Sequence, residues 1–566
     1  MEQRRRDLLN APKNNGSGSI QSAMASHVKQ PVYNDGAHRY GNVRVKPKTS
    51  GPWQYTTHIE LPLTSDTWDI TEFENTYIHF VLQVKFYATG IPTISGTDDF
   101  SEMLKNHQYV FFGLKSSNHI IGDYRFMFND HTVSSSSQPN ALYESFLYSN
   151  FKSKGEIANK RWVYSPYGEV EKLDNSICGM YIPIGELTGN SSNEYKVMFD
   201  VIVPINEILA MEAFDEYPNK IFGELKLFFT TTYNGFVFTE VNPIESIKKG
   251  IVRGDIDATN ADLHLTDVLA VDAKTFPYTH AFQQQGIANK MSFITGYDSD
   301  NATLTFSDLA DVKLTCYDLQ TLDIWCDVRG YKASSGAMQN MYNSFCRNPF
   351  VVCAQRVERT GFNSKPTVSG GIHTDITLRF NRVTDINILM PTHSLQRTVY
   401  TNPALRGFQV IIGNDHYPDQ QVTTLSPEFF ENQIQSTDFD SFFEATDSYE
   451  HSLTDARVDE NGEKNPITDD TSFVPIFSLE RANAGELVFD GLDQLSVKVE
   501  LHGTPLYSTS IYPRSDDTDI EPPALCTTTD TYWIFRIING VPNCQYVVQN
   551  DFDTAYANPD IEATKA

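Results

Sequence analysis

The segments Phe126-Met-Phe-Asn-Asp-His131 and Ile411-Ile-Gly-Asn-Asp-His416 decide the fold of this chain, because each is the apolar end of a strand followed by Asn-Asp-His. They lie 285 residues apart, 411 minus 126. Asn and Asp at the end of a strand commonly form a turn by hydrogen bonding to their own backbone. Adjacent strand residues point to opposite faces, so Asp130 and His131 would not converge on a metal ion or form an acid–base pair. We therefore interpret both segments as turns, and their recurrence as a duplication.

The similarity between the two halves continues beyond these turns in a constant order. A helical segment follows each turn, then a strand with an X-Pro-Ile sequence, then a further strand. Ordered matches of this kind predict two units of the same architecture. The matched pairs are Leu142–Phe146 with Pro427–Glu431, Tyr181–Ile184 with Phe473–Ile476, and Glu224–Phe228 with Ser496–Glu500.

Most of the chain has the pattern of half-buried strands. In Tyr77-Ile-His-Phe-Val-Leu-Gln-Val-Lys-Phe-Tyr87, polar His79, Gln83 and Lys85 lie on one face and bulky apolar residues on the other. Helices are predicted at Pro139–Lys152, Leu425–Phe443 and Ser335–Cys346. The predicted strands are Gln54–Pro62, Thr76–Tyr87, Tyr109–Leu114, Tyr124–Phe128, Met180–Ile184, Tyr195–Val203, Ile221–Thr231, Asp311–Tyr317, Pro349–Gln355 and Asp375–Phe380.

The length of 566 residues exceeds the size at which one hydrophobic core stops growing, so at least two units are expected. Composition and pattern divide the chain into five parts. We predict a flexible basic N-terminal arm at 1–50, a first unit at 51–245, a connection at 246–300, a second unit at 301–548 and a C-terminal tail at 549–566.

The net charge of −28 is unevenly distributed. Residues 1–50 carry nine Lys/Arg against three acidic residues, a balance of +6, so the rest of the chain carries −34. Such an acidic body repels phosphate backbones and is a poor reader of nucleic acid. Only the arm, through Arg4, Arg5, Arg6 and Lys13, is a candidate contact with nucleic acid or a partner; a localisation signal or a solubilising tip are the alternatives.

The sequence contains no motif for catalysis, nucleotide binding or a cofactor, so we predict no catalytic residue and no cofactor. Seven cysteines without a C-x-x-C pair are interpreted as buried thiols in a reducing compartment rather than as disulfides or zinc ligands. The acidic segments Asp298–Asp300, Asp459–Glu463 and Asp469-Asp470 do not fit a calcium loop and are interpreted as solvated surface, so no metal ion is predicted. The start of the sequence has no apolar h-region, so no signal peptide is predicted. The sequence has no apolar run of about 18 residues, so no membrane span is predicted.

In these features the chain resembles the double jelly-roll major capsid proteins of the virophage, Polinton (Maverick) and adintovirus group of DNA viruses. The resemblance covers roughly residues 50 to 545. It depends on the tandem repeat, on a helix in each unit, and on four segments of the second half. These are Asp311-Val-Lys-Leu-Thr-Cys-Tyr317, Asn348-Pro-Phe-Val-Val352, Asp375-Ile-Thr-Leu-Arg-Phe-Asn-Arg382 and Phe408-Gln-Val-Ile-Ile412.

The resemblance implies an all-β fold of two tandem eight-stranded antiparallel jelly-roll sandwiches, each with a short helix in a connecting loop. It further implies homotrimeric, pseudo-hexagonal capsomers that tile an icosahedral shell with penton and minor capsid proteins. The protein would be part of the virion, assembled in the cytoplasm or nucleus of the host cell. The arm would contact genome, internal membrane or a neighbouring capsid protein. A β-sandwich carbohydrate-active enzyme or carbohydrate-binding protein is the alternative, because separations between acidic residues are not visible in sequence.

Overall fold

The computed structural model of the protein describes most of the two units between Tyr40 and Val548. No helix among these residues is long and apolar enough to cross a membrane. The described residues are 40–91, 99–133, 136–164, 178–188, 193–240, 251–252, 254, 282–284, 291–294, 309–364, 372–391, 397–398, 400, 402, 405–412, 415–423, 426–437, 439–452, 455–458, 464–467, 473–479, 492–505 and 521–548.

The elements confirm the all-β prediction. The strands are β1 Tyr40–Val45, β2 Trp53–Gln54, β3 Ile59–Pro62, β4 Ile70–Glu72, β5 Tyr77–Thr89, β6 Tyr109–Leu114, β7 Ile121–Phe128, β8 His131–Thr132, β9 Gly179–Pro183, β10 Glu194–Pro204, β11 Glu216–Tyr217, β12 Leu225–Thr231, β13 Phe236–Glu240, β14 Phe282–Gln284, β15 Met291–Ile294, β16 Leu309–Tyr331, β17 Phe350–Gly361, β18 Ile372–Leu389, β19 Leu405–Ile412, β20 Asp415–Thr423, β21 Asp455–Val458, β22 Lys464–Ile467, β23 Ile476–Ser478, β24 Leu492–Pro505, β25 Ala524–Ile538 and β26 Val541–Val548. The helices are α1 Asp99–His107, α2 Ala141–Asn150, α3 Lys154–Asn159, α4 Ile184–Thr188, α5 Asn219–Phe222, α6 Ser335–Phe345, α7 Pro427–Ser436 and α8 Phe442–Ser452.

The first unit is a sandwich of two antiparallel layers. One layer has the spatial order β1, β16, β5, β10. The other layer consists of two four-stranded sheets, with the orders β3, β12, β7, β8 and β14, β13, β6, β9. The first strand, β1, therefore lies beside the last, β16, and β3 lies beside β12. This nesting is the jelly-roll order.

The second unit repeats that order. One layer runs β17, β25, β18, β23, and the other runs β18, β24, β19, β20. β18 belongs to both layers: its beginning pairs with β24 and its end with β25 and β23. The change occurs where the register shifts between Leu378 and Asp385, and Arg382 has a φ of 46° there. A register irregularity of this kind bends a strand, which lets one strand serve two sheets.

Local sequence accounts for most of these elements. In β5 the alternation buries Ile78, Phe80 and Leu82 completely, as predicted. Helices α2 and α6 confirm the predicted helical segments. The helix predicted at Leu425–Phe443 is two helices. The chain at Thr437 is extended and its hydroxyl donates to the carbonyl of Gln433 at 2.7 Å, which ends α7.

The first recurring segment lies in a hairpin, which confirms its interpretation as a turn. Gly413 and Asn414 of the second copy lie outside the described residues, so its interpretation as a turn stays a prediction. Asn129 and Asp130 have φ of 47° and 67°, and Phe128 pairs with His131. In the second copy Ile412 pairs with Asp415. The strand of each copy also pairs with the predicted later strand, β7 with β12 and β19 with β24.

One predicted match between the units needs correction. Tyr181–Pro183 belong to β9, which pairs with β6, whereas the Phe473–Ile476 segment leads into β23, which pairs with β18. The strand with the equivalent position in the first unit is β10, which pairs with β5. It ends in Val203-Pro204 before Ile205, the same three residue types as Val474-Pro475-Ile476.

Strand pairing also contradicts two predicted boundaries. Tyr40–Val45, assigned to the flexible arm, form β1 and pair with β16. β16, assigned to the start of the second unit, pairs with β5 along Lys313–Asp327 and so completes the first unit. Both errors have one physical cause: a jelly roll joins its first and last strands, and pairing over such a sequence separation leaves no local signal. Residues 1–39 of the predicted arm and the tail lie outside the described residues.

Candidate functional site: the junction between the two units

Aromatic side chains form one continuous core across the boundary between the units. Trp533 of β25 is fully buried and packs edge-to-face on Phe126 of β7, with ring centroids 5.1 Å apart. Its indole Nε1 donates a hydrogen bond of 2.8 Å to the carbonyl oxygen of Ala210 in the first unit. Phe535, two residues along the same face, contacts Tyr217 at 5.4 Å. A shared core of this kind prevents the two units from moving as independent bodies.

Helix α2 lies between the units, which explains why nearly all its side chains are buried. Phe146 packs against Tyr400 of the second unit, with ring centroids 4.8 Å apart. Leu147 and Tyr148 belong to the same cluster as Val357 of β17. Helix α2, which lies in a connecting loop, therefore fills the space between the two units.

Glu144 is the buried ionisable group of this helix, 2% exposed. Tyr124 donates to its Oε1, and Gln138 donates to its Oε2. The same Gln138 amide donates to the carbonyl oxygen of Val357, at 2.7 Å, and so links the carboxyl group to the second unit. Burial raises the pKa of Glu144 to about 7, while the hydrogen bonds from Tyr124 and Gln138 and the charge of Arg356 oppose that rise.

Helix α3 is fastened to both units by ionic groups. On one side, the Lys154 backbone N–H donates to Glu444 Oε1 of α8, and the Lys154 ammonium pairs with Asp447. On the other, Lys160 Nζ lies 2.8 Å from Oε1 of Glu207, whose side chain is fully buried. Burial lowers the pKa of Lys160, but the carboxylates of Glu207 and Glu156 outweigh it and raise the pKa overall. Helix α3 and the following Lys160 thus link the two units at the surface of the junction.

The N-terminal strand β1 is held on β16 by a stack of charged and aromatic side chains. The Arg44 guanidinium lies 4.3 Å from the ring centroid of Trp325, and His79 stacks on Trp325 with an interplanar angle of 11°. Asp327 accepts from Arg44 Nε at 3.2 Å and lies 2.9 Å from His79 Nε2. Burial lowers the pKa of His79, and Asp327 only partly compensates. The start of the described chain is therefore anchored to the first unit.

The predicted arm residues Arg4, Arg5, Arg6 and Lys13 lie outside the described residues, as do the three acidic segments assigned to solvated surface. Asp130 pairs with Lys226, whose ammonium also lies 3.0 Å from Glu60 Oε1. In the described part of the chain, no three His, Cys, Asp or Glu side chains are arranged to hold a metal ion. None of the seven cysteines forms a disulfide, and four of them are buried. Cys353 and Cys544 are partly buried and Cys346 is exposed, so the interpretation as buried thiols is wrong for Cys346.

The junction itself was not found from sequence. Its signals are weak: Glu144 occurs beside the apolar stripe of α2, and Trp533 is one of many aromatic residues in strands. The available indication was the composition of the helix, because Ser145 and Ser149 border its apolar stripe and Tyr148 lies on the opposite side, and all three are buried.

No protein-family model matches the chain, and no curated protein matches its sequence. Solved structures are similar to it over nearly the whole length. The mavirus major capsid protein is 10% identical with a TM-score of 0.44, covering 92% of this chain and 92% of its own. A chain of the Sputnik virophage, determined by cryo-EM, is 9% identical with a TM-score of 0.42 and covers 94% of both chains. The Faustovirus major capsid protein is 9% identical with a TM-score of 0.39, covering 94% of this chain and 97% of its own.

Proposed function

We propose that this chain is a major capsid protein whose role is structural rather than catalytic. The observation that carries the proposal is the junction. Two jelly rolls in one chain share a core at Trp533, and polar contacts of α3 link them. Two similar units held rigidly side by side are suited to act as a building block. Binding modules that move independently of each other would not share a hydrophobic core as these two units do.

The proposed assembly is a homotrimer. Three copies of two similar units present six similar sides, so a pseudo-hexagonal capsomer can pack laterally through few kinds of contact. The partners are then further capsomers, penton proteins and minor capsid proteins. The protein would reside in the virion, after assembly in the cytoplasm or nucleus of the host cell.

We also propose a revised division of the chain. The first unit comprises residues 40–331, because β1 and β16 are paired neighbours. The second comprises residues 350–548, from β17 to β26, and α6 lies in the connection between them. The residues before Tyr40, with Arg4, Arg5, Arg6 and Lys13, would contact genome, internal membrane or a neighbouring capsid protein, since the rest of the chain is strongly acidic.

The positions of the tryptophan side chains argue against a carbohydrate-active protein. Sugar binding uses exposed aromatic faces, but Trp53, Trp68 and Trp533 are each no more than 5% exposed. Trp325 is covered by Arg44 and His79, and Trp162 packs edge-to-face on Tyr77. All five tryptophans therefore have structural partners.

Mass photometry of the purified protein at micromolar concentration, followed by electron microscopy, tests this proposal. We expect a trimer with a six-sided outline that associates further. A stable monomer of 64.0 kDa under these conditions would refute it. As a control, a variant lacking residues 1–39 keeps every described contact, so its trimer is expected to form while its further assembly or its nucleic-acid binding changes.

A further inference from the structure

Helices α3 and α8 have equivalent places in the two units and contact each other. α3 follows α2 along the chain and α8 follows α7, and α2 and α7 are the matched helices of the repeat. The contact is made by Lys154 of α3, whose backbone N–H donates to Glu444 and whose ammonium pairs with Asp447. Equivalent elements of two neighbouring units therefore touch.

A contact between equivalent elements places them close to the axis that relates the units. In a pseudo-hexagonal trimer, neighbouring units are related by one sixth of a turn, so the distance between equivalent points equals their distance from the axis. Packed helices lie about 8–10 Å apart, which puts α3 and α8 about 8–10 Å from the axis. Because first and second units alternate around that axis, α8 then has α3 of its own chain on one side and α3 of the next copy on the other.

Both helices expose large apolar side chains. Phe443 of α8 is 77% exposed, Phe442 beside it is 46% exposed, and Ile157 of α3 is 36% exposed. Ala445 packs into the core of the second unit, and residues two positions apart lie on opposite sides of a helix, so Phe443 points away from that core. Apolar side chains exposed together in this way are typical of an interaction surface.

The two helical segments also carry opposite charge. Residues 152–161 have four Lys/Arg against one acidic residue, a balance of +3, whereas residues 438–450 have five acidic residues and no Lys or Arg. Arg161 and Asp440 are exposed, and within the described part of the chain neither forms an ion pair. A second contact between the same two segments would bring these unpaired opposite charges together.

We propose that α8 of one copy docks against α3 of a neighbouring copy, with Phe443 packed on Ile157, so that three copies of each helix alternate around the trimer axis. This inference rests on the proposed capsomer and identifies a surface that holds its copies together. The occupant is a second copy because α3 and α8 already contact each other within the chain through complementary charges. The contact between chains continues that junction around the axis.

Sedimentation velocity of the full chain over a range of concentrations tests the docking. Phe443→Asp should raise the concentration at which half of the trimer dissociates by about tenfold or more, because each copy loses the burial of one phenylalanine. Phe443→Leu keeps an apolar side chain and should keep the trimer. Val541→Asp is the matched control, since Val541 is 64% exposed in the hairpin of β25 and β26, and it should leave the trimer unchanged.

A disulfide between chains tests which elements meet. Ile157→Cys and Phe443→Cys are introduced in separate chains, each with the exposed Cys346 replaced by serine, and the two chains are co-expressed. We expect oxidation with copper-phenanthroline to link one chain of each kind, whereas either variant expressed alone should give no linked dimer. Because the two cysteines are in different chains, a contact between α3 and α8 of one chain cannot give this product.

The outcomes separate this inference from the proposed function. A monomeric wild type refutes both. A wild-type trimer that is unaffected by Phe443→Asp, or that gives no mixed disulfide, overturns the docking and leaves the capsomer in place. If Phe443→Asp fails to fold, the mixed disulfide decides, since its formation supports the docking and its absence refutes it.

Discussion

Replacing Glu144 by glutamine should remove a pH dependence of stability that originates at the junction. The pKa of Glu144 is raised from 4.5 to about 7 in the folded protein. The folded state thus keeps a proton that the unfolded chain loses, and stability falls as pH rises from about 4.5 through 7. At 1.36 kcal/mol for each pKa unit, the full loss is about 3 kcal/mol, and about 2 kcal/mol of it falls between pH 5.5 and 8.5.

Glutamine at this position preserves the hydrogen bonding. Its oxygen can accept from the Gln138 amide, and its nitrogen can donate to the Tyr124 hydroxyl, which can act as an acceptor. The measurement is urea unfolding followed by tryptophan fluorescence at pH 5.5 and pH 8.5. The wild type should lose about 2 kcal/mol more than Glu144→Gln over this interval. Glu74→Gln, at an exposed glutamate, is the control and should behave as the wild type. Equal pH dependence in wild type and Glu144→Gln would refute the reasoning.

Three further substitutions test the packing and the backbone by the same unfolding measurement. Trp533→Ala leaves a cavity in the shared core and removes the donor to Ala210, so stability should fall by about 3–5 kcal/mol; a loss below 1 kcal/mol would contradict the shared core. Lys160→Met leaves the carboxylate of Glu207 buried without its ammonium partner and should lower the free energy of unfolding by about 3 kcal/mol. No change would show that this ion pair does not stabilise the junction. Gly223 has a φ of 107°, which an L side chain rarely adopts, so Gly223→Ala should destabilise by about 1–3 kcal/mol, whereas no loss would mean that the turn relaxes freely.

Sequence patterns predicted the elements well where the signal is local. The alternation of Tyr77–Tyr87 indicated β5, and Ser426 with Pro427 indicated the start of α7. The same patterns could not predict which strands pair. β1 and β16 are neighbours although Val43 and Val328 are separated by most of the first unit, and nothing in either segment specifies the other.

The junction was missed for a related reason. The stripe of Leu142, Phe146 and Leu147 predicts one buried face for α2, and on that basis Glu144 belongs to the solvent. In the structure both units cover the helix: Phe146 of the stripe packs on Tyr400 of the second unit, and Glu144 accepts a hydrogen bond from Tyr124 of the first. Burial of a charged side chain on a helix between two units depends on the tertiary arrangement, which is not encoded in the helical period.

The place of β16 at the centre of the first sheet has a consequence for biosynthesis. β5 ends at Thr89 and its partner β16 begins at Leu309, so 220 residues, 309 minus 89, separate them. At about 5–20 residues per second, roughly 10–40 s pass on the ribosome before the partner strand exists. During that interval one edge of β5 has no β16 to pair with, and an open strand edge is a template for association with other chains. When this protein is synthesised at high levels, its nascent chains are therefore expected to associate unless they are kept apart until Tyr331 has emerged.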